Sequence, residues 1–146
     1  MIRPYAETDK AELLAVWDRA SALAHPFLSA EFQAQVRHDI GEVYLPITRT
    51  WVFERHDRVV GFISMIEREI GGLFVEPELH GQGLGRALTD HARAELGALE
   101  VEVFERNTIG RAFYDRYGFQ LIERKDHPET GEKVLRLGLA SEGSSG

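Results

Sequence analysis

The run Leu73-Phe74-Val75-Glu76-Pro77-Glu78-Leu79-His80-Gly81-Gln82-Gly83-Leu84-Gly85-Arg86-Ala87-Leu88 leaves the chain few ways to fold around it. Leu73 to Val75 is apolar and β-favouring, Pro77 breaks the strand, and glycines stand at alternate positions 81, 83 and 85. Leu84, Ala87, Leu88, Ala92 and Leu96 then recur at helical spacing. The reading is strand, Gly-rich turn, helix. Such a turn leaves the N–H groups of the first helical turn unpaired and pointing one way, and the helix dipole adds about half a positive charge there. Glycines permit positive φ and let a bulky anion approach the backbone. The arrangement suits a phosphate or pyrophosphate. Taken alone, the glycines fit a plain tight βα connection equally well. Two familiar phosphate motifs are excluded. There is no Gly-Lys-Ser/Thr of the P-loop, and the Gly-x-Gly-x-Gly spacing, met mid-chain, is not the dinucleotide fingerprint that opens a βαβ unit.

Around this stretch the chain has 146 residues, enough for one domain with its own core. A net charge of −7 argues against nucleic acid as a partner and leaves any anionic ligand dependent on local N–H groups and a few arginines. There is no cysteine, which excludes disulfides, thiolate nucleophiles and Cys-ligated metals, and no metal site is expected. The N-terminus Met1-Ile2-Arg3-Pro4 has no signal-peptide core, and no apolar run is long enough to span a membrane. A cytoplasmic protein with no membrane partner is expected, as a monomer or homodimer. The domain is read as residues 1–139, with 140–146 a flexible Ser/Gly-rich tail.

Before the Gly-rich turn, Met1 to Tyr5 is read as a strand. A helix follows, capped by Thr8, with Leu13, Leu14, Val16, Trp17 and Leu23 forming its apolar stripe and Asp18 and Arg19 turned outward. Ala24-His25-Pro26-Phe27-Leu28 interrupts it, and Ser29 caps a second helix that ends before Pro46. In the interruption, Phe27 either plugs the core or, with His25, lines an acceptor pocket. Residues 50–55, 59–67 and 69–75 give three successive strands, an antiparallel meander. After the Gly-rich helix, Leu99-Glu100-Val101-Glu102-Val103 alternates as a strand. It should run parallel to the strand at 70–75 through a right-handed crossover. Asn107 caps a helix that Gly118 ends, and Phe119 to Ile122 and Lys133 to Leu137 form the last strands. The fold class is therefore α/β (α+β mixed). About seven strands form a central, mostly antiparallel mixed sheet, with helices on both faces and a ligand site at the C-terminal ends of the parallel pair.

A second constellation lies on the last helix. Asn107, Gly110, Tyr114 and Tyr117 fall at i, i+3, i+7 and i+10, on one stripe. Gly110 inside a helix costs about 1 kcal/mol relative to Ala, so something should approach it closely. Tyr114 reads from spacing as either a core aromatic or a cleft residue.

At this point the sequence resembles a known family. His80-Gly81-Gln82-Gly83-Leu84-Gly85 is similar to the R/Q-x-x-G-x-G/A acetyl-CoA motif of the GNAT superfamily of N-acetyltransferases. Asn107-x-x-Gly110-x-x-Phe113-Tyr114-x-x-x-Gly118-Phe119 is similar to its second signature. The order of motifs and elements matches over residues 1 to about 139, and His25-Pro26-Phe27 further resembles the small bacterial protein-lysine acetyltransferase branch. His80 departs from the pattern, standing where Arg or Gln is usual.

The resemblance implies a single GNAT-like domain whose splayed parallel strand pair forms the cofactor cleft. It also implies direct transfer of an acetyl group from acetyl-CoA to a primary amine, on a protein or peptide lysine or a free small molecule. The implied cofactor contacts are Leu73, Phe74, Val75, His80, Gly81, Gln82, Gly83, Leu84, Gly85, Arg86, Asn107, Gly110 and Tyr114, with a backbone N–H near Phe74 or Val75 polarising the thioester. Tyr114 takes the general-acid position. Glu69 or Glu102 is the candidate base, either of which can equally be a solvated strand residue, and a water relay is the third option. His25 and Phe27 are the substrate-binding candidates. The competing readings are a non-catalytic acyl-CoA-binding module, which would keep the glycines without the acid, and a nucleotide-binding domain.

Overall fold

The computed structural model describes residues 1–141. The elements come in the expected sequence: β1 (Ile2–Pro4), α1 (Lys10–Ala24), α2 (Ala30–Asp39), β2 (Arg49–Arg55), β3 (Arg58–Ile66), β4 (Glu69–Val75), α3 (Leu84–Leu96), β5 (Leu99–Phe104), α4 (Thr108–Tyr117), β6 (Gln120–Asp126) and β7 (Lys133–Leu139). The strands lie in the order β1-β2-β3-β4-β5-β7-β6. The hairpin formed by β6 and β7 thus folds back so that β7, not β6, pairs with β5. All pairs are antiparallel except β4 with β5.

Two local readings change. The α1 cap is not Thr8. A short 3₁₀ turn (Glu7–Asp9) precedes the helix, and Asp9 accepts the Ala6 N–H at 2.8 Å while gripped by both Arg3 Nη atoms at 2.8 and 2.9 Å. A two-point charged contact competes better for the start of the chain than a threonine hydroxyl does. Leu23 is not in the core but 50% exposed, because the apolar stripe of α1 stops one turn before the helix does.

Helices cover both faces of the sheet. On one face α1 buries Leu13, Val16 and Trp17 against Val52, Val59 and Phe62. On the other, Leu84, Leu88 and Ala92 of α3 and Tyr114 of α4 pack on Ile63, Met65, Val101, Val103, Leu135 and Leu137. Each fully buried aliphatic or aromatic side chain contributes about 1.5–3 kcal/mol, so the two layers fix which edges of β4 and β5 face each other. Ala140, at the start of the expected tail, is tied back by its carbonyl, which accepts from Arg93 at 2.8 Å. Residues 142–146 of that tail lie outside the described residues. Among the described residues no helix is long and apolar enough to cross a membrane.

Candidate active site

The site begins where β4 and β5 stop pairing. The parallel ladder has two rungs, Glu69 to Glu100 and Ile70 to Val101, and beyond them the strands part. On its other edge β4 stays paired to β3, with Phe74 opposite Phe62 and Val75 opposite Gly61. The Glu76 N–H donates to the Val60 carbonyl at 2.9 Å. Hydrogen-bonded and non-hydrogen-bonded pairs alternate along an antiparallel ladder. Phe74 is therefore bonded to β3, and the backbone groups of Leu73 and Val75 turn toward the gap. Of the two amides considered for polarising a carbonyl, only that of Val75 is free to do so.

The gap opens into a cleft of about 480 Å³ lined by Leu73, Phe74, Val75, His80, Gly81, Gly83, Leu84, Gly85, Arg86, Asn107, Gly110 and Tyr114, among others. Gly83 stands at the N-cap of α3, and no side chain caps the helix. The first-turn N–H groups are left for a ligand. The three glycines differ in what they do. Gly81 and Gly83 have φ of +83° and +85°, and a Cβ at either would meet nothing within 4 Å. They set the turn and leave open space before it. Gly85 instead makes room for a neighbour, since a Cβ there would lie 3.2 Å from Phe113 Cε1. It lets α3 and α4 approach. A phosphate-bearing ligand fits this cradle, with donors supplied by backbone and the Arg86 guanidinium standing 5.1 Å from the Tyr117 ring centroid at its rim.

Two motif side chains are held by protein partners. His80 Nε2 lies 3.0 Å from the Val75 carbonyl, where as donor it ties the turn back onto the end of β4. Gln82 does not line the cleft; it accepts from Arg55 Nη1 at 3.3 Å on the exposed side.

Tyr114 is 6% exposed and sits between the rings of Phe113 and Phe119. Burial pushes its phenol well above the ordinary value, so it is protonated at neutral pH. Among the described residues nothing hydrogen-bonds its hydroxyl. The hydroxyl oxygen is not sealed in the core but reaches the cleft that Tyr114 lines.

Glu69 and Glu102 lie outside the cleft wall. Both belong to a cluster around Arg136 of β7, which reaches Glu100 at 2.7 Å, Glu102 at 3.0 Å and Glu69 at 3.1 Å. Glu102 also meets Lys125 at 2.7 Å. Burial alone would raise its carboxyl, but the hydrogen bonds from Lys125 and Arg136 outweigh this and hold it below the usual carboxylate range.

On the opposite face, the loop joining α1 and α2 brings His25 and Phe27 against Phe104 at the end of β5, with ring centroids 5.5 and 5.7 Å away. Phe32 and His127 extend this aromatic mouth, each within 6 Å of its neighbour. These two and Phe104 were not singled out from sequence, since α2, β5 and the turn between β6 and β7 become neighbours only in the fold. His25 is buried enough that its pKa falls to about 4, below the ordinary 6.5. Its folded value is depressed, so between pH 6.5 and 4 the unfolded chain takes up a proton the folded chain refuses. Stability is full above that window and is lost as pH falls through it, by up to about 3 kcal/mol. His25→Phe is expected to remove this component, seen as a flatter denaturation midpoint between pH 4 and 7 than that of the unsubstituted protein.

Asn107 caps α4 through Oδ1, which accepts the Gly110 N–H at 2.9 Å. Asn107→Ala is expected to cost about 1 kcal/mol as a lost cap, measured by urea unfolding.

Comparison with known proteins bears on all of this. Residues 46–121 match the acetyltransferase (GNAT) domain family. The peptidyl-lysine N-acetyltransferase YjaB of Escherichia coli K12 is 32% identical over 144 residues, covering 98% of this chain and 97% of that protein. The peptidyl-lysine N-acetyltransferase YiaC of the same organism is 28% identical, covering 89% of this chain and 90% of its own length. The solution structure of apo YjaB superposes with a TM-score of 0.83 over 99% of this chain and 98% of its own. The chain belongs to the GNAT family of acetyl-CoA-dependent N-acetyltransferases.

Proposed function

We propose that the chain carries an acetyl group from acetyl-CoA to the side-chain amine of a protein lysine, with the pyrophosphate on the first turn of α3 and the acyl arm along the free edge of β4. The observation that carries this reading is the conjunction in one cleft of the unpaired Val75 N–H and the partnerless Tyr114 hydroxyl. Bound acetyl-CoA supplies the activated acyl group. The Val75 N–H donates to the acyl oxygen as negative charge develops there. The amine nitrogen bonds to the acyl carbon, the carbon–sulfur bond breaks, and Tyr114 gives its proton to the departing sulfur. The proton lost by the amine passes to water. Tyr114 is reprotonated from solvent.

For the base, the ion cluster separates the two carboxylates. Glu102, held by two cations, is a poor proton acceptor. Glu69 has one contact to Arg136, keeps a side chain 42% exposed, and sits on the first rung of the parallel ladder, before the strands part. Val75 stands six residues further along β4, about 20 Å at strand rise, so Glu69 can accept only through a relay of several waters. Glu69→Gln should therefore lower kcat/KM about 10–100-fold at pH 7 and lose part of that deficit at higher pH, where more amine is already neutral. Glu102→Gln should change kcat/KM less than threefold while loosening the cluster. Equal effects of the two substitutions would show that both act only through the cluster.

A lysine acceptor is favoured by the mouth on the far face, which presents rings from four segments of the chain to solvent and suits a long aliphatic stem with a cationic end. The names of the Escherichia coli relatives agree with it. The test is an acceptor screen of lysine peptides, N-terminal amines and small polyamines, read by release of free thiol. Turnover on lysine peptides at least about tenfold above every small amine supports the proposal. Turnover confined to small amines would replace the acceptor, and thiol release with none of them would favour a binding module.

A further inference from the structure

The loop between α1 and α2 and the start of α4 are joined by one line of hydrogen bonds. The Gly110 N–H donates to Asn107, which requires the amide oxygen at that end. The amide nitrogen then faces His25 Nε2 at 3.3 Å. An NH₂ group only donates, so Nε2 must accept and the ring proton must sit on Nδ1. That nitrogen lies 3.1 Å from the Ser21 hydroxyl, which can accept it. The backbone of α4 thus fixes the tautomer of a histidine 82 positions earlier. The ring is hemmed edge-on by Phe27, Phe74 and Phe104.

Gly110 belongs to the same device. A Cβ there would stand 2.5 Å from Asn107 Nδ2 and 3.2 Å from Val103 Cγ2. Any side chain would push the amide off His25. Asn107 lines the cleft, whereas His25 does not.

We propose that His25 is a positioning residue for the cofactor site. As the neutral Nδ1–H tautomer it accepts one N–H of Asn107 and aims the other at the cleft, for a carbonyl of the pantetheine arm. The loop at the acceptor mouth is thereby also a part of the cofactor site, and a change in that loop is felt as a change in acetyl-CoA affinity. This rests on the reading that Asn107 contacts acetyl-CoA.

A double-substitution cycle tests it. Acetyl-CoA affinity by calorimetry, with KM and kcat, is measured for the unsubstituted protein, His25→Phe, Asn107→Ala and the pair. Phenylalanine keeps the ring contacts but cannot accept a hydrogen bond. The expectation is an acetyl-CoA affinity loss of about fivefold for His25→Phe, about tenfold for Asn107→Ala, and no further loss in the pair. His25→Gln, whose carbonyl can accept, should recover most of the affinity. Additive losses, or full affinity in a folded His25→Phe protein, would overturn the proposal. Unchanged affinity in folded Asn107→Ala would overturn the underlying contact and the proposal with it. Nitrogen-15 NMR of the imidazole in the unsubstituted protein gives a readout independent of activity. A protonated Nδ1 with bare Nε2 is expected, and the opposite tautomer would refute the inference whatever the kinetics.

Discussion

Tyr114→Phe is expected to lower kcat by about 10²–10⁴-fold, or about 3–5.5 kcal/mol of barrier, while acetyl-CoA binding stays within about threefold. The substitution removes one oxygen and leaves the ring between Phe113 and Phe119. That oxygen has no hydrogen-bond partner among the described residues, so its loss leaves no protein group unpaired. Stability should hold or rise slightly. A rate collapse therefore cannot be ascribed to damage in the core. Burial keeps the phenol protonated at neutral pH, so the role proposed for it is proton donor and not base. Rapid-quench or single-turnover measurement isolates the chemical step. A single-turnover rate within threefold of the unsubstituted enzyme would remove Tyr114 from the chemistry and leave water to protonate the sulfur.

Gly83→Glu is expected to weaken acetyl-CoA binding by about 100-fold or more, because it sets a carboxylate beside the N-terminus of α3, where the pyrophosphate is proposed to bind. Like charges brought together in a binding site cost several kcal/mol. The substitution has a second effect that must be separated from the first. Gly83 has φ +85°, a conformation that costs other residues about 1–2 kcal/mol. Gly83→Ala carries that strain without the charge and meets no atom within 4 Å. It should lose about 1–2 kcal/mol of stability and bind acetyl-CoA within about fivefold. If both variants bind equally, the charge is not near the phosphates and the cradle lies elsewhere along the cleft.

The parts of this site that the sequence displays are those made by neighbours in the chain. The strand, turn and helix around Gly81 and Gly83, the Asn107 cap and the Ser29 cap all rest on contacts within three or four residues. Local chemistry is written in local order, and those elements fall where the pattern puts them. The meander of β2, β3 and β4 was equally legible, since short turns leave adjacent strands no other partner. The position of β7 between β5 and β6 was not, because both orders satisfy the same alternation of side chains. The Arg136 cluster follows from that unpredicted order. Its three carboxylates come from β4 and β5, and only the insertion of β7 beside β5 brings the guanidinium to them. Glu69 and Glu102 thus looked like unclaimed carboxylates when read along the chain. Gly110 was marked as a place of close approach, yet what approaches is the Asn107 amide, itself turned by a histidine from another element.

The early parting of β4 from β5 leaves a seam through the middle of the sheet. From Ile70 to Val75 the strand runs on for five residues, about 16 Å at strand rise, with the N–H groups of Leu73 and Val75 turned to the gap and the Val75 carbonyl met there by His80. Proteins usually guard such an edge with charge or bulges; in the proposed binding mode the cosubstrate takes that part, as the strand the sheet lacks. Occupancy should therefore be visible as slowed amide hydrogen exchange at Leu73 and Val75 and as a melting temperature that climbs with cosubstrate, by about 2.7 kcal/mol of added stability at one hundred times Kd. A cell short of acetyl-CoA would then hold this protein in its more fragile, more easily degraded form.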